Sequence, residues 1–174
     1  YFLCNTQIVA YEKEILSLGG NIYRICARSK NRRRYSLDMY NFFSTHSKEY
    51  VAIWVNICSL ANIDYLKYAK KYGIPRRIIH SHNSQNMDTF LRGVLHKINK
   101  YKVEKYATDF WACSEEAAHW FYNDRLFYKT VMIHNAIDWK QMSFSQEKRN
   151  RIRKKYNLEN FFVIGNVGRL HFQK

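Results

Sequence analysis

The sequence predicts an α/β protein built on a Rossmann-like, doubly wound parallel sheet, and three observations lead to this prediction. Short apolar runs alternate with stretches of helical period along the chain of 174 residues. Helical stretches end in glycine, at Gly19-Gly20 and at Gly73, which is a common way for a helix to stop. No internal repeat or low-complexity linker interrupts the pattern. Strands that alternate with helices in this way form parallel βαβ units.

Each element is predicted from its local pattern. The strands are the apolar runs YFLCN (1–5), NIYRICA (21–27), YVAIWVNI (50–57), RRIIHSH (76–82), DFWACS (109–114), TVMIHNA (130–136) and FFVIGNVG (161–168). The helices are AYEKEILSLGG (10–20), SLDMYNFFSTH (36–46), ANIDYLKYAKKYG (61–73), residues 87–106, EEAAHWFYN (115–123) and QEKRNRIRKKYN (146–157). Ser36 is the expected N-cap of the second helix, after a basic loop RSKNRRR.

The charge balance points to anionic partners. The chain has 29 Lys and Arg against 14 Asp and Glu, which gives a net charge of +15. Nucleic acid, an acidic membrane surface and phosphorylated small molecules all fit this balance, and so does a solvated basic surface without a partner. The nucleic-acid option has no zinc-finger spacing or ribonucleoprotein motif to support it. No apolar run reaches the roughly 18 residues that span a bilayer.

The cysteines and the chain ends carry two further expectations. Cys4, Cys26, Cys58 and Cys113 are far apart and form no C-x-x-C pair, so metal binding is not expected. Four reduced, partly buried thiols in a cytosolic protein are the simplest interpretation. Tyr1 is not an initiator methionine, and both ends of the chain are expected to be cuts.

Polar residues close the predicted strands, where ligands of open parallel sheets bind. They are Asn56, His80 to Asn83, Ser114, Asn135, and the Gly168-Arg169 pair. The sequence therefore predicts a polar rim on an apolar sheet.

Four segments in order resemble glycosyltransferase family 4. VMIHNAID, followed by RIRKKYNLENFFVIGNVGRLHFQK, is similar to the domain junction of these enzymes, and RRIIHSHNSQN and WACSEEAAHWFY resemble two earlier strand ends. The closest likeness is to the bacterial capsular and exopolysaccharide branch. The resemblance implies the GT-B arrangement of two Rossmann-like domains facing across a cleft. Residues 1–138 would be the acceptor-side domain without its first strand and glycine-rich loop, and 139–174 the linker and start of the donor-binding domain.

The resemblance also implies a function. The implied protein is a retaining hexosyltransferase that moves a sugar from a UDP- or GDP-sugar to a growing, lipid-linked glycan. The resemblance implies no metal and no cofactor. The paired-glutamate motif that grips the donor would lie beyond Lys174, so the chain alone is expected to be inactive. The location implied is cytoplasmic, with peripheral association at the inner face of the plasma membrane. Nucleic acid is not an expected partner.

The resemblance assigns roles to the rim residues. Arg169 and Lys174 would bind the donor diphosphate, where a planar fork and a point charge suit a phosphate leaving group. His82 would be catalytic. His80, Asn83, Asn56, Ser114 and Asn135 would line the acceptor side of the cleft. Plain alternatives stay open: a solvated loop for the two cations, a satisfied hydrogen-bonding histidine, and Asn83 or Ser84 as a helix cap.

Two departures from the family pattern affect these roles. Asn56 stands where many relatives have histidine, and an amide can hydrogen-bond but cannot shuttle protons. His134 and Ala136 stand where proline and glycine are more usual, and alanine tolerates positive φ poorly.

The stretch TFLRGVLHKINKYKVEKY (89–106) has two interpretations. Leu91, Val94, Leu95 and Ile98 form an apolar stripe of helical spacing, and the remainder is basic. The ordinary interpretation is that this stripe packs on the sheet. The alternative is a basic amphipathic surface that meets anionic lipid, joined by residues 28–34.

Two other functional classes compete with the transferase. One is a two-domain nucleotide-sugar epimerase, and the other is a basic nucleic-acid-binding module prompted by the charge. A glutamate pair downstream of Lys174 would favour the transferase over the epimerase. Steeply salt-dependent DNA binding would favour the nucleic-acid-binding module.

Overall fold

The protein forms two compact units, residues 1–134 and residues 135–174. The computed structural model describes residues 1–86 and 89–168. Within these residues every strand belongs to the first unit, and helices are the only regular elements of the second unit. Arg169 and Lys174 lie outside the described residues.

The strands are short and the helices connect them in sequence order. The strands are β1 (Phe2–Cys4), β2 (Ile22–Arg24), β3 (Ala52–Ile57), β4 (Arg76–Ser81), β5 (Asp109–Ala112) and β6 (Val131–Met132). The helices of the first unit are α1 (Glu12–Ser17), α2 (Arg32–His46), α3 (Asp64–Lys71), α4 (Phe90–Lys102), α5 (Glu115–Phe121) and α6 (Asp124–Phe127). Single 3₁₀ turns follow α2 (Ser47–Glu49) and α4 (Val103–Lys105). The second unit contains α7 (Trp139–Met142) and α8 (Gln146–Lys155).

All strand pairs are parallel, which confirms the predicted fold class. β1 pairs with β2, and β3, β4, β5 and β6 pair in that order in a second sheet. The register places Asn56 opposite His80, and His80 opposite Trp111. Within the described residues, no strand pairs with the second edge of β1 or with the edge of β3 that faces away from β4.

Helices cover one face of the four-stranded sheet. Because β3 to β6 follow one another in one direction, right-handed crossovers place their connecting helices on the same side. Val55, Ile79 and Phe110 point to this side and pack in one buried cluster with Leu66 of α3 and Phe121 of α5. The residues between them in sequence point to the opposite face, since side chains alternate along a strand.

A second cluster connects α2 with both sheets. Met39 and Phe43 of α2 are fully buried, and Leu3 of β1 and Ile53 of β3 pack against the same cluster. The two sheets thus share a core although their strands do not pair with each other.

Helix α2 starts earlier than the sequence predicted. Its N-cap is Asn31, whose side chain accepts a hydrogen bond from the Arg34 amide at 2.9 Å. The arginines that follow form the first helical turn and not a loop, so the prediction of Ser36 as the cap was wrong. Asn is among the strongest N-cap residues, and this cap outweighs the unfavourable cations in the first turn.

The predicted last strand is not formed. Residues 162–168 have no regular secondary structure, whereas the basic helix before them is present as α8. A strand needs a neighbour that pairs with its backbone N–H and C=O groups. No strand in the described part of the second unit provides such a neighbour.

The cysteines are all free thiols, as predicted. Cys58 is exposed and not partly buried, because it follows β3 at the carboxyl edge of the sheet. None of the helices in the described residues is both long and apolar enough to cross a membrane.

Candidate functional site

The candidate site is the carboxyl edge of the four-stranded sheet, on the face that α3 and α5 do not cover. Asn56 lies near the end of β3, and His80 and His82 lie at the end of β4. All three side chains belong to the same sheet face because their positions are two residues apart or in register. The structure therefore brings together three of the residues that the sequence selected.

His82 and Asn56 form a direct hydrogen bond. The Nε2 atom of His82 lies 3.0 Å from the Oδ1 atom of Asn56. An amide oxygen can only accept, so Nε2 carries the hydrogen and donates it. The Nδ1 atom of a neutral His82 ring is then left as an acceptor. His82 is half-buried and Asn56 is exposed, so this pair can be reached from solvent.

His80 lies beneath this pair and has a different environment. Its ring centroid is 4.1 Å from that of His82, and the ring stacks on Trp54 at 5.8 Å. It is only 3% exposed, and neither ring nitrogen makes a well-aligned hydrogen bond among the described residues, although the Ile133 backbone lies near enough to oppose part of the pKa shift. Burial, followed by repulsion from His82, lowers the pKa of His80 below its ordinary value. The lowered pKa favours the neutral imidazole of His80, and its ring packs against the ring of His82.

The aromatic residues around His80 leave the uncovered face of the sheet apolar. Trp54 is 54% exposed and contacts Trp111 edge to face at 5.6 Å. Trp111 in turn lies 6.0 Å from the His80 ring. The imidazoles thus lie at the polar end of an aromatic surface.

The remaining rim residues have local structural contacts. Ser114 caps α5 by accepting a hydrogen bond from the Ala117 amide at 3.2 Å. Asn83 follows β4 and is half-buried, but α4 begins only at Phe90 with Thr89 as its N-cap. The expectation that Asn83 or Ser84 caps the following helix was therefore wrong. Asn135 belongs to the second unit and is exposed.

His134 is a rim residue to which the sequence assigned no role. Its Nδ1 atom lies 3.1 Å from the carbonyl oxygen of Cys113, so Nδ1 donates and the ring is held against the end of β5. The sequence signal that could have identified it as a rim residue is its position just after the last strand of the sheet. In the sequence analysis His134 was noted only because proline is more usual at this position in the family that the chain resembles.

A cavity of about 310 Å³ lies elsewhere in the first unit. Glu104 and Thr108, which precede β5, and Lys129, which precedes β6, are among its lining residues, so the cavity opens toward the amino ends of these strands. Ligands of open parallel sheets bind at the other ends of the strands. In the described residues, no three His, Cys, Asp or Glu side chains converge in a way that could hold a metal ion.

The protein has a Rossmann-like α/β fold, and a solved structure shares it. No protein-family model and no curated protein sequence matches the chain. The chain is similar in structure to Anabaena Alr3699/HepE, whose crystal structure was determined in complex with UDP. The TM-score is 0.68 at 16% sequence identity, over 97% of this chain and 46% of that one. The chain thus spans less than half the length of that protein, and the likeness shows the fold.

Proposed function

We propose that the chain is the acceptor-side part of a retaining GT-B glycosyltransferase of family 4, from the capsular and exopolysaccharide branch. It would contribute to the transfer of a hexose from a UDP- or GDP-sugar to a lipid-linked glycan at the cytoplasmic face of a membrane. The observation that carries the proposal is the hydrogen-bonded pair of His82 and Asn56 at the carboxyl edge of the sheet. A second support is that the chain shares its fold with a protein that was crystallised with UDP.

The pair can act on a sugar by hydrogen bonding. Because Asn56 fixes the hydrogen of His82 on Nε2, the Nδ1 atom can accept a hydrogen bond from a sugar hydroxyl. The lowered pKa of His80 favours its neutral form, so the ring next to His82 does not place a positive charge beside this acceptor. In this proposal His82 is the catalytic residue, with His80, Asn56, Asn83, Ser114 and Asn135 along the acceptor side.

Charge neutralisation of the leaving diphosphate is assigned to Arg169 and Lys174. An arginine fork and a lysine ammonium can together stabilise charge on a departing phosphate, so the proposal includes no metal. The retaining stereochemistry rests on the sequence resemblance alone.

The proposed first domain would contain one more strand than the two separate sheets provide. Residues 1–138 would form the first domain, and 139–174 the linker and start of the second. A further parallel strand between β1 and β3 would join the sheets and give the order β2-β1-X-β3-β4-β5-β6. This is the strand order of a Rossmann-type sheet. Among the described residues one edge of β1 and one edge of β3 are unpaired, as the joining strand of this proposal requires.

Titration calorimetry tests the proposal. UDP, GDP, UDP-glucose and GDP-mannose are titrated into the chain with and without Mg²⁺. We expect weak binding that does not depend on the metal and that falls severalfold in Arg169→Ala and Lys174→Ala. Arg33→Ala, which removes an exposed cation from α2, is the matched control and should leave binding unchanged. Tight, Mg²⁺-dependent binding, or equal losses in all three variants, would contradict the proposal.

A further inference from the structure

Helix α4 packs on the protein through polar side chains. His96 is fully buried, accepts a hydrogen bond from the Leu60 amide at 3.0 Å, and donates from Nε2 to the Trp120 carbonyl at 3.0 Å. Asn99 donates to the Leu60 carbonyl at 2.7 Å, and Lys100 donates to the carbonyl of His119 at 2.6 Å. The polar side chains on the inner face of α4 therefore have hydrogen-bond partners, and the helix packs on the protein without its apolar stripe.

The apolar stripe of α4 points to solvent, which contradicts the ordinary interpretation of its pattern. Phe90, Leu91 and Tyr101 are 82%, 72% and 74% exposed. Val94, Leu95 and Ile98 are between 39% and 45% exposed. At 3.6 residues per turn these six side chains lie on one continuous arc of the helix. Neither buried cluster of the protein includes any of them.

Among the residues that the structure describes, the charged side chains of α4 beside this arc are cations. Lys97 and Lys102 of α4 and Lys105 of the following turn are exposed. Helix α4 contains no Asp or Glu. Glu104 lies in the following turn, and its carboxylate is paired with Arg125 and Lys129 at 3.3 and 3.4 Å. The surface is therefore apolar in the middle and positive at its margin.

We infer that the outer face of α4 docks on an anionic lipid surface, with Phe90, Leu91, Val94, Leu95, Ile98 and Tyr101 below the headgroups. An interfacial helix has this distribution, in which apolar residues are buried and lysines meet acidic headgroups. Its 13 residues span about 20 Å, so the helix lies along the membrane plane.

Two other occupants fit the surface less well. A second copy of the chain would bring two sets of lysines together, and like charges oppose this contact. A nucleic acid would bind the lysines through phosphates and would leave the aliphatic side chains in water. The inference does not depend on the proposed transferase activity.

Vesicle sedimentation with the whole chain tests the inference. The vesicles are phosphatidylcholine alone, or phosphatidylcholine with about a third phosphatidylglycerol. We expect binding to the anionic vesicles that weakens with salt, and little binding to the neutral ones. The double variant Leu91→Glu/Leu95→Glu should bind the anionic vesicles more than tenfold less tightly. The variant Lys97→Gln should lose about fivefold, since one cation near the headgroups is removed.

A matched control separates insertion from overall charge. Leu18→Glu/Leu37→Glu makes the same charge change at two exposed leucines of the first unit outside α4. It should keep most of the vesicle binding, and circular dichroism should show that both double variants are folded. Equal losses in the two double variants, or no binding of the unsubstituted chain, would overturn the inference. So would a dimer in light scattering that Leu91→Glu/Leu95→Glu dissociates, because that result assigns the face to a second copy.

Discussion

Replacing His96 with leucine should destabilise the first unit by several kcal/mol. The Leu60 amide donates to Nδ1 of His96, so Nδ1 must be unprotonated and Nε2 must carry the hydrogen that bonds the Trp120 carbonyl. Leucine leaves both backbone groups without this partner, at about 1–3 kcal/mol each. It also removes a ring stack on Trp120 at 4.1 Å, which contributes about 0.5–1.5 kcal/mol. The expected loss is about 3–5 kcal/mol at pH 8.

The same residue should make stability depend on pH. Burial lowers the pKa of His96 below its ordinary value of 6.5. Below pH 6.5 the unfolded chain then binds a proton that the folded chain excludes. The free energy of unfolding therefore falls as the pH drops, by up to about 1.4 kcal/mol per pH unit. This loss ends at the folded-state pKa of His96.

Urea unfolding between pH 8 and pH 5, followed by tryptophan fluorescence, measures both effects. His96→Leu should lower the unfolding free energy at pH 8 and reduce its decline below pH 6.5, with the contribution of the buried His80 remaining. His119→Leu removes an exposed imidazole and is the control, expected to keep the decline. A loss under about 1 kcal/mol, or an unchanged decline in His96→Leu, would refute this account of α4 packing.

Three further predictions concern the sheet. The hydroxyl of Tyr122 lies 2.8 Å from the Trp111 carbonyl and 3.0 Å from that of Ile79, so Tyr122→Phe should lower stability by about 1 kcal/mol in urea unfolding; no change would contradict it. The hydrogen bond from Arg76 is the main cause that lowers the pKa of Asp109 below 3.8, so this pair stabilises the fold above pH 3.8 and is lost on acidification. The Tm deficit of Asp109→Asn should therefore be larger at pH 6 than at pH 3, and an equal deficit would count against the pair. In hydrogen exchange, the β3 amides that do not bond to β4 should exchange faster than those of β4, and equal protection would argue against an open edge.

The order of elements could be predicted from the sequence because the local signals agree. Apolar runs, helical periodicity and the stops at Gly19 and Gly73 all point to the same boundaries, and both glycines adopt positive φ. The start of α2 was missed because three successive arginines resemble a loop, and the cap at Asn31 decides otherwise.

The orientation of α4 could not be predicted from its pattern. Periodicity identifies an apolar stripe but does not say which face of the helix is buried. In α4 the buried face satisfies its polar groups through His96 and Asn99, so the helix packs without the stripe. This arrangement depends on backbone groups of Leu60 and Trp120, which are far away in sequence.

The site was predicted as a set of positions but not as a set of contacts. Strand ends selected Asn56, His80 and His82, and parallel pairing places them on one edge. The bond between His82 and Asn56 depends on the register that sets Asn56 opposite His80, which no local signal specifies. His80 is also buried without a well-aligned hydrogen bond, in contact with the ring of Trp54, and no local sequence signal specifies this packing.

The most direct test of the proposed function is the imidazole NMR spectrum of the chain during titration with UDP-glucose and GDP-mannose. The account predicts that the ring signals of His82 shift with sugar nucleotide, while those of the buried His96 do not. It also predicts that Asn56→Ala abolishes this response, since Nε2 of His82 is then no longer held. Unchanged His82 signals at saturating sugar nucleotide, or a shift that Asn56→Ala leaves intact, would contradict the assignment of this edge as the sugar site.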